Sequence, residues 1–196
     1  MARAELRPAV FLDRDGVINE PVLDGRSGKY ESPYRPEDVT LAEGAAEALN
    51  ELHDGGFLLI AVSNQPAAAK GTTTLEALRA VHDRVVELLG DAQLDDWRYC
   101  FHHPEGVVPE LTVACDCRKP EPAMILEGAD ENGADLARSW VVGDSDVDIE
   151  AGKRAGVRTI LVDNPLTAHR RKGAVAQEKV RNLSAAAGII LTESRR

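Results

Sequence analysis

Aromatic residues are scarce in this 196-residue chain, at 4% of positions: two Trp, three Tyr and three Phe. A core must therefore be filled by Ala, Leu, Val and Ile, and the overall hydrophobic share of 43% is ordinary for a soluble globular protein. Basic charge is in deficit. Lys and Arg number 23 against 33 Asp and Glu, a net charge of -10, which argues against a nucleic-acid partner because phosphate backbones need a basic surface. The same charge would repel an anionic substrate unless the site carries its own cations. No apolar run is long enough to span a bilayer, and Met1 to Pro8, with Arg3, Glu5 and Arg7, lacks the apolar segment of a signal peptide. Cytoplasmic residence without a membrane partner is the expectation. The absence of a Gly-x-x-x-x-Gly-Lys phosphate loop speaks against a nucleotide-driven kinase. With no internal repeat and no low-complexity linker, a single domain over residues 1–196 is expected, acting as a monomer. Cysteines number only three, too few and too odd for a disulfide framework.

What is present begins with Val10-Phe11-Leu12, an apolar run that ends abruptly in Asp13 and Asp15, with Gly16 next. A buried strand that runs into acid at its C-terminal end places carboxylates where open α/β sheets bind ligands. The turn at Gly16 brings both acids around one small volume, where they repel unless a cation or a shared proton lies between them. The pair points to a hard metal such as Mg²⁺, with one Asp as nucleophile and the other as general acid and base. The competing interpretation is a polar turn with Asp caps.

Strand and helix signals alternate along the rest of the chain. Pro21 to Pro36 is long and polar for a plain connection and reads as a flap. Gly44 to His53 is amphipathic through Ala45, Ala48, Leu49 and Leu52. Phe57 to Val62 is continuously apolar, as a strand covered on both faces should be, and ends in Ser63-Asn64-Gln65-Pro66. A second helix is predicted from Thr74 to Leu89, a strand from Trp97 to Phe101 and a helix from Pro122 to Asn132. Trp140 to Val142 ends in Gly143-Asp144-Ser145-Asp146-Val147-Asp148, Ile149 to Ala155 is a short helix, and Val157 to Val162 is another strand. Leu166 to Val180 reads as a helix and Gly188 to Leu191 as a late apolar run. The alternation predicts an α/β fold: a Rossmann-like, mainly parallel sheet with helices on both faces. Trp97 and Trp140 read as core, and the basic cluster His169-Arg170-Arg171-Lys172 as a solvated helix face.

On such a sheet the strand ends converge, so Asp13/Asp15, Ser63/Asn64, Arg118-Lys119-Pro120 and Asp144/Asp148 are candidates for one pocket. Asp13 and Asp144 supply carboxylates for Mg²⁺, with a main-chain carbonyl near Asp15 as a third donor. The Ser63 hydroxyl and the Lys119 ammonium suit the remaining phosphate oxygens. Taken singly, Ser63-Asn64 is a turn, Lys119 a solvated lysine, and Asp144 with Asp148 a helix cap. Together and in this order, Phe11-Leu12-Asp13-Arg14-Asp15-Gly16, Ser63-Asn64-Gln65, Lys119 and Gly143-Asp144 with Asp148 resemble the four motifs of the haloacid dehalogenase superfamily in its phosphatase branch. The likeness runs from Val10 to Val162. It implies a Mg²⁺-dependent phosphomonoesterase with a minimal cap. In that resemblance Asp13 becomes an aspartyl phosphate, and Asp15 protonates the leaving alkoxide and then activates water. Ser63 and Lys119 position the phosphoryl group, Mg²⁺ sits on Asp13, the Asp15 carbonyl and Asp144, and Asp148 orients Lys119 or a metal water. Of the two acids, the one with the raised pKa is the expected donor, while its neighbour stays ionised.

Cys100-Phe101-His102-His103 and Cys115-Asp116-Cys117 form a C-x-H, C-x-C pattern within one short window. Three thiolates and an imidazole make a closed tetrahedral site for structural Zn²⁺, with buried free thiols as the alternative. His103 is adjacent to the expected ligand, and the resemblance favours His102. Such a clip over residues 100–117 would hold the cationic Arg118-Lys119 segment against the pocket. This zinc-loop form resembles the heptose bisphosphate phosphatases, with histidinol phosphatases as cousins and a non-catalytic phosphosugar-binding domain as the reading from another class. A small phosphorylated sugar is then the expected substrate. Asn64, Gln65 and Arg118 would contact it, Arg118 at a second phosphate where a guanidinium fork suits the task. The chain departs from the subgroup at Pro66-Ala67-Ala68-Ala69-Lys70-Gly71, and at Ser145, where the resemblance leads one to expect Lys.

Overall fold

In the computed structural model, residues 6–195 are described, so Met1 to Glu5 of the stretch inspected for a signal peptide lie outside them. The described residues form eight strands: β1 (Ala9–Leu12), β2 (Val22–Leu23), β3 (Tyr30–Glu31), β4 (Leu58–Asn64), β5 (Asp96–Cys100), β6 (Trp140–Gly143), β7 (Arg158–Val162) and β8 (Glu178–Val180). The helices are α1 (Ala45–Asp54), α2 (Leu75–Leu89), α3 (Ala123–Asn132), α4 (Asp146–Ala155) and α5 (Leu183–Ser194). Six strands form one sheet in the order β5-β4-β1-β6-β7-β8, every pair parallel. The order runs outward in both directions from β1 and β6, so their junction is the switch point beyond whose carboxyl ends ligands bind in doubly wound sheets. The fold class expected from the alternation is the one observed.

Strand pleating sorts the core. Val10 and Leu12 of β1 face a layer holding Leu49 of α1, Val81 of α2 and Ile190 of α5, whereas Ala9 and Phe11 face Met124 and Ile125 of α3 and Ala151 of α4. With helices on both sides, β1 and most of β4 have no solvent face, which is why they read as unbroken apolar runs. The helix starts are chemically marked. Thr74 caps α2 by accepting from the Ala77 N–H, and Ser145 with Asp148 forms a capping box at α4.

The C-terminal third departs from expectation. Leu166 to Val180 is no α-helix: a 3-10 helix over Pro165–Arg170 is followed by Gly173 at φ +128 and then by edge strand β8. A glycine in that backbone region ends the helical path. Gly188 to Leu191 lies inside α5, whose buried Leu183, Ala186, Ala187 and Ile190 follow helical spacing from the Asn182 cap. Four apolar residues are too short a window to separate strand from helix. The polar stretch read as a flap forms the antiparallel β2–β3 hairpin. Trp140 is core as expected, while Trp97 is only partly buried and stacks with Tyr99. Among the described residues no helix is long and apolar enough to cross a membrane.

Candidate active site

The site grows from the ends of β1 and β6. The Asp13 N–H still donates to the Val142 carbonyl at 2.9 Å, so Asp13 occupies a rigid, strand-like position. The chain then turns at Gly16, φ +95, where a Cβ would lie 2.2 Å from Asp144 Oδ2. Glycine is required there both for the backbone angle and to let the Asp144 carboxylate pack under the turn. Asp13, Asp144 and Asp148 are all buried and offer oxygens within 4.8 Å of one another.

Lys119 holds this group together. Its ammonium donates to Asp13 Oδ1 at 3.0 Å and to the Val62 carbonyl at 2.6 Å, and lies 2.5 Å from Asp148 Oδ1. Asp148 Oδ2 accepts from the Ser145 hydroxyl at 2.5 Å and from the Ser145 N–H at 3.1 Å. Asp148 is therefore both a helix cap and the counter-ion of Lys119. Burial would lower the Lys119 pKa, but Asp13 and Asp148 outweigh it and hold the ammonium charged. Asn64 fixes the same segment from the other side: its amide donates to the Lys119 carbonyl at 2.9 Å and accepts from the Lys119 N–H at 3.0 Å.

Asp15 is gripped separately. Arg14, 1% exposed, donates to it from Nε at 3.1 Å and from Nη2 at 2.9 and 3.0 Å. Asn19 donates to Oδ1 at 3.0 Å, and Gln65 to Oδ2 at 2.6 Å and to Ser63 Oγ at 3.1 Å. Burial alone would raise the Asp15 pKa; Arg14, Asn19, Gln65 and Ser32 reverse it and leave the carboxyl below its ordinary value. Asp13 goes the other way. Burial, with Asp148 and Asp15 nearby, outweighs Lys119 and raises it. The expectation that the acid donor is the raised member of the pair is thus inverted. The reason is local: the hydrogen-bond donors are collected on Asp15.

Asp144 shows the cation requirement most directly. Neither of its buried side-chain oxygens has a hydrogen-bond partner. Burial first, then Asp13 and Asp148, pushes it up to about 8. Buried unpaired carboxylate oxygens beside a second carboxylate, all hard donors, fit a divalent oxygen-seeking ion.

Asp13, Asp15, Ser63, Asn64, Arg118, Lys119 and Asp148 line one cleft of about 270 Å³. Gln65, bonded to Asp15 and Ser63, is not among the residues lining this cleft and instead lines a neighbouring groove with Trp97, Tyr99 and Phe101. The cleft also contains residues that sequence reasoning did not assign. Glu31 and Ser32 come from the hairpin, Lys70 from the departing Pro66 to Gly71 turn, and Arg170 from the C-terminal segment. The solvated-face interpretation of the basic cluster fails for two of its members. Arg170 and Arg171 are 19% and 14% exposed, and Arg171 donates to the Asp144 main-chain carbonyl at 3.3 Å. Their placement depends on the return from β7 to β8, for which the local sequence carries no signal. Arg14 was legible in principle, since a residue between two site acids is held at their depth.

The second cluster is the thiol window. Cys117 Sγ lies 3.1 Å from Cys100 Sγ and 3.3 Å from Cys115 Sγ, and His102 Nδ1 is 3.5 Å from Cys117 Sγ. The four ligand atoms fall within 4.8 Å of one another, a compact N/S set fitting a tetrahedral metal. His103 is turned elsewhere, its Nδ1 accepting from the Glu105 N–H. Arg118 is tied to this cluster by donating to the His102 carbonyl at 3.2 Å, and Val107 and Val108 N–H groups dock the loop on the Ala69 carbonyl.

Comparisons with known proteins agree with this geometry. The HAD-hydrolase-like family matches residues 116–183. A protein of Rhodopseudomonas palustris named D-glycero-beta-D-manno-heptose-1,7-bisphosphate 7-phosphatase is 39% identical over 160 residues, 80% of this chain and 83% of that one. The Escherichia coli K12 protein of the same name is 36% identical over 165 residues, 82% of each. The structure of a D,D-heptose 1,7-bisphosphate phosphatase from B. bronchiseptica, in complex with magnesium and phosphate, superposes with a TM-score of 0.78 at 27% identity, covering 95% of this chain and 99% of that one.

Proposed function

We propose, for a chain that belongs to the haloacid dehalogenase-like hydrolases and to their heptose bisphosphate phosphatase branch, that it removes the 7-phosphate of D-glycero-D-manno-heptose 1,7-bisphosphate, working as one domain with residues 100–117 as a metal-bound loop. The observation that carries this reading is the buried chain of charge from Asp13 through Lys119 to Asp148, set beside an Asp144 carboxylate that accepts no hydrogen bond among the described residues. Phosphoryl transfer asks a protein chiefly for positioned charge.

An Asp13 carboxylate oxygen attacks phosphorus while the bond to the sugar oxygen breaks. Lys119 keeps Asp13 aimed and offsets charge on the phosphoryl oxygens together with the Ser63 hydroxyl. Asp15 gives its proton to the leaving sugar oxygen, then takes one from the water that attacks phosphorus and restores Asp13. Arg14, Asn19 and Gln65 favour the Asp15 carboxylate, and the negative charge of a phosphate beside it raises its affinity for a proton, which it takes from water before donating it to the leaving oxygen. Asn64 and Gln65 serve the substrate through Lys119 and Asp15, which they orient. Asp13, Asp144 and the Asp15 main-chain carbonyl would hold Mg²⁺, which supplies positive charge that keeps both carboxylates ionised and neutralises the phosphoryl oxygens. Cys100, His102, Cys115 and Cys117 would hold Zn²⁺ as a structural clip. Arg118, fixed on that clip, and Lys70 face the cleft where a second phosphate would enter.

The test is phosphate release with Mg²⁺ from the heptose 1,7-bisphosphate, compared with heptose 1-phosphate and histidinol phosphate. Preferred turnover of the bisphosphate is expected. Faster turnover of histidinol phosphate, or phosphosugar binding without hydrolysis, would reject the reading.

A further inference from the structure

The geometry points to Arg170 as a further phosphate ligand: standing beside Asp144 and Glu31 in the cleft wall, its guanidinium keeps donors free for the substrate's phosphoryl oxygens. This rests on the phosphatase reading given above.

Arg170 is four-fifths buried, yet its side chain is sparingly bonded. Its Nη1 stands 3.6 Å from Asp144 Oδ2 and its Nη2 stands 3.8 Å from Glu31 Oε2, both beyond hydrogen-bond length; among the described residues its one hydrogen bond is from Nη2 to the Tyr30 carbonyl at 3.3 Å. A guanidinium carries five N–H donors in a planar fork, so most of this one remains unspent inside the cleft. The attraction it feels comes from Asp144, Asp15, Asp13 and Glu31, the carboxylates around the reacting centre and its hairpin wall. Bidentate capture of phosphate is the task for which such a fork is suited.

The backbone beneath Arg170 is fixed by its neighbour. Arg171 donates from Nη1 to the Asp144 carbonyl at 3.3 Å and to the Asn164 carbonyl at 2.9 Å, and its Nη2 lies 2.9 Å from Asp163 Oδ1. The backbone of the segment is thereby pinned to the ends of β6 and β7 while the Arg170 side chain crosses to the β2–β3 hairpin. Two consecutive arginines thus divide the work, one holding the chain and one facing the cleft.

This placement has a consequence of opposite sign for two ligands. Toward a divalent cation alone, Arg170 is a like charge competing for Asp144 and weakens binding. Toward phosphate it is an added counter-charge with free donors and strengthens binding. A residue that only supported the fold would move both affinities the same way.

Calorimetry on the full chain dialysed free of Mg²⁺ separates the cases. Arg170→Gln is expected to bind Mg²⁺ alone more tightly than the wild type, by a few-fold, and to bind inorganic phosphate at saturating Mg²⁺ about tenfold more weakly, the loss of one charge-assisted contact. Arg170→Lys, which keeps the charge without the fork, should recover the Mg²⁺ affinity and only part of the phosphate affinity. Unchanged phosphate affinity in Arg170→Gln, or a fall in both affinities, overturns the inference while the phosphatase reading stands. A wild-type chain that binds no phosphate with Mg²⁺ present overturns both.

Discussion

The two ligand clusters of this protein are built on opposite plans. The oxygen cluster of Asp13, Asp144 and Asp148 is buried throughout and sits on strand ends and a helix cap, where backbone ladders fix every position. The thiol cluster has one buried member, Cys100 at the end of β5, and three half-buried ones on a long loop. The first stores unsatisfied charge and needs the sheet to tolerate it. The second satisfies itself locally and lends order to a loop that has little apolar surface. The contrast separates two roles: the oxygen cluster is imposed on a rigid frame, and the thiol cluster gathers four potential metal ligands on a loop that has little frame of its own.

The largest effect should come from cutting the first cluster at its nucleophile. Asp13→Asn is expected to lower phosphate release by roughly 10⁴-fold or more, as removal of a nucleophile does elsewhere, with circular dichroism and zinc content unchanged. Residual turnover near that of the wild type would reject the covalent route. Cutting the second cluster should do the reverse. Cys115→Ser is expected to lose zinc by metal analysis and to melt lower, at about 2–4 °C for each kcal/mol lost, and to raise KM more than it lowers kcat because Arg118 is released. An unchanged zinc stoichiometry would show the ligand set to be wrong.

A smaller effect tests the grip on Asp15. Arg14→Met should reduce kcat by about tenfold to a hundredfold, the range that general acid–base positioning supplies. Because Arg14 depresses the Asp15 pKa, the limb of the pH–rate profile that reports this acid should move to higher pH. A uniform loss at every pH would mean that Arg14 serves the fold alone.

The smallest effect is on stability and has a defined sign. Asp144 titrates at about 8 in the folded chain against an ordinary 3.8. The folded state therefore holds a proton that the unfolded chain releases, a contribution complete below about pH 4 and lost as pH rises through about 8. Between pH 5 and pH 9 the melting temperature of the Mg²⁺-free protein should fall more steeply than that of Asp144→Asn, and Mg²⁺ should raise the wild-type melting temperature while leaving the variant's nearly unmoved. Parallel melting curves for the two across this range would remove Asp144 from the cation site.

Most of the scaffold was legible because its signals are local. Apolar runs of four to seven residues, helical spacing in Leu75 to Leu89 and caps such as Thr74 belong to single segments. The helix expected over Leu166 to Val180 failed because apolar spacing carries no mark of the break at Gly173, while the Gly188 to Leu191 run was too short to assign to strand or helix. The site divides the same way. Asp13, Asp15, Ser63, Asn64, Lys119, Asp144 and Asp148 could be proposed from the sequence because most of them follow apolar runs and their order together resembles the motifs of one family; the structure brings them close together. Arg170 was read as solvated because nothing nearby distinguishes it from a surface cation.

The sequence by itself determined which chemical groups are available and that they lie at the ends of apolar strands, since those properties are carried by neighbouring residues. Only the tertiary structure decided how they are shared out: that Lys119 bridges Asp13 and Asp148, that the donors gather on Asp15 and leave Asp144 bare, and that Arg170 faces the cleft. Pairing of charges depends on distances across the sheet between segments tens of residues apart, and no local pattern encodes a distance.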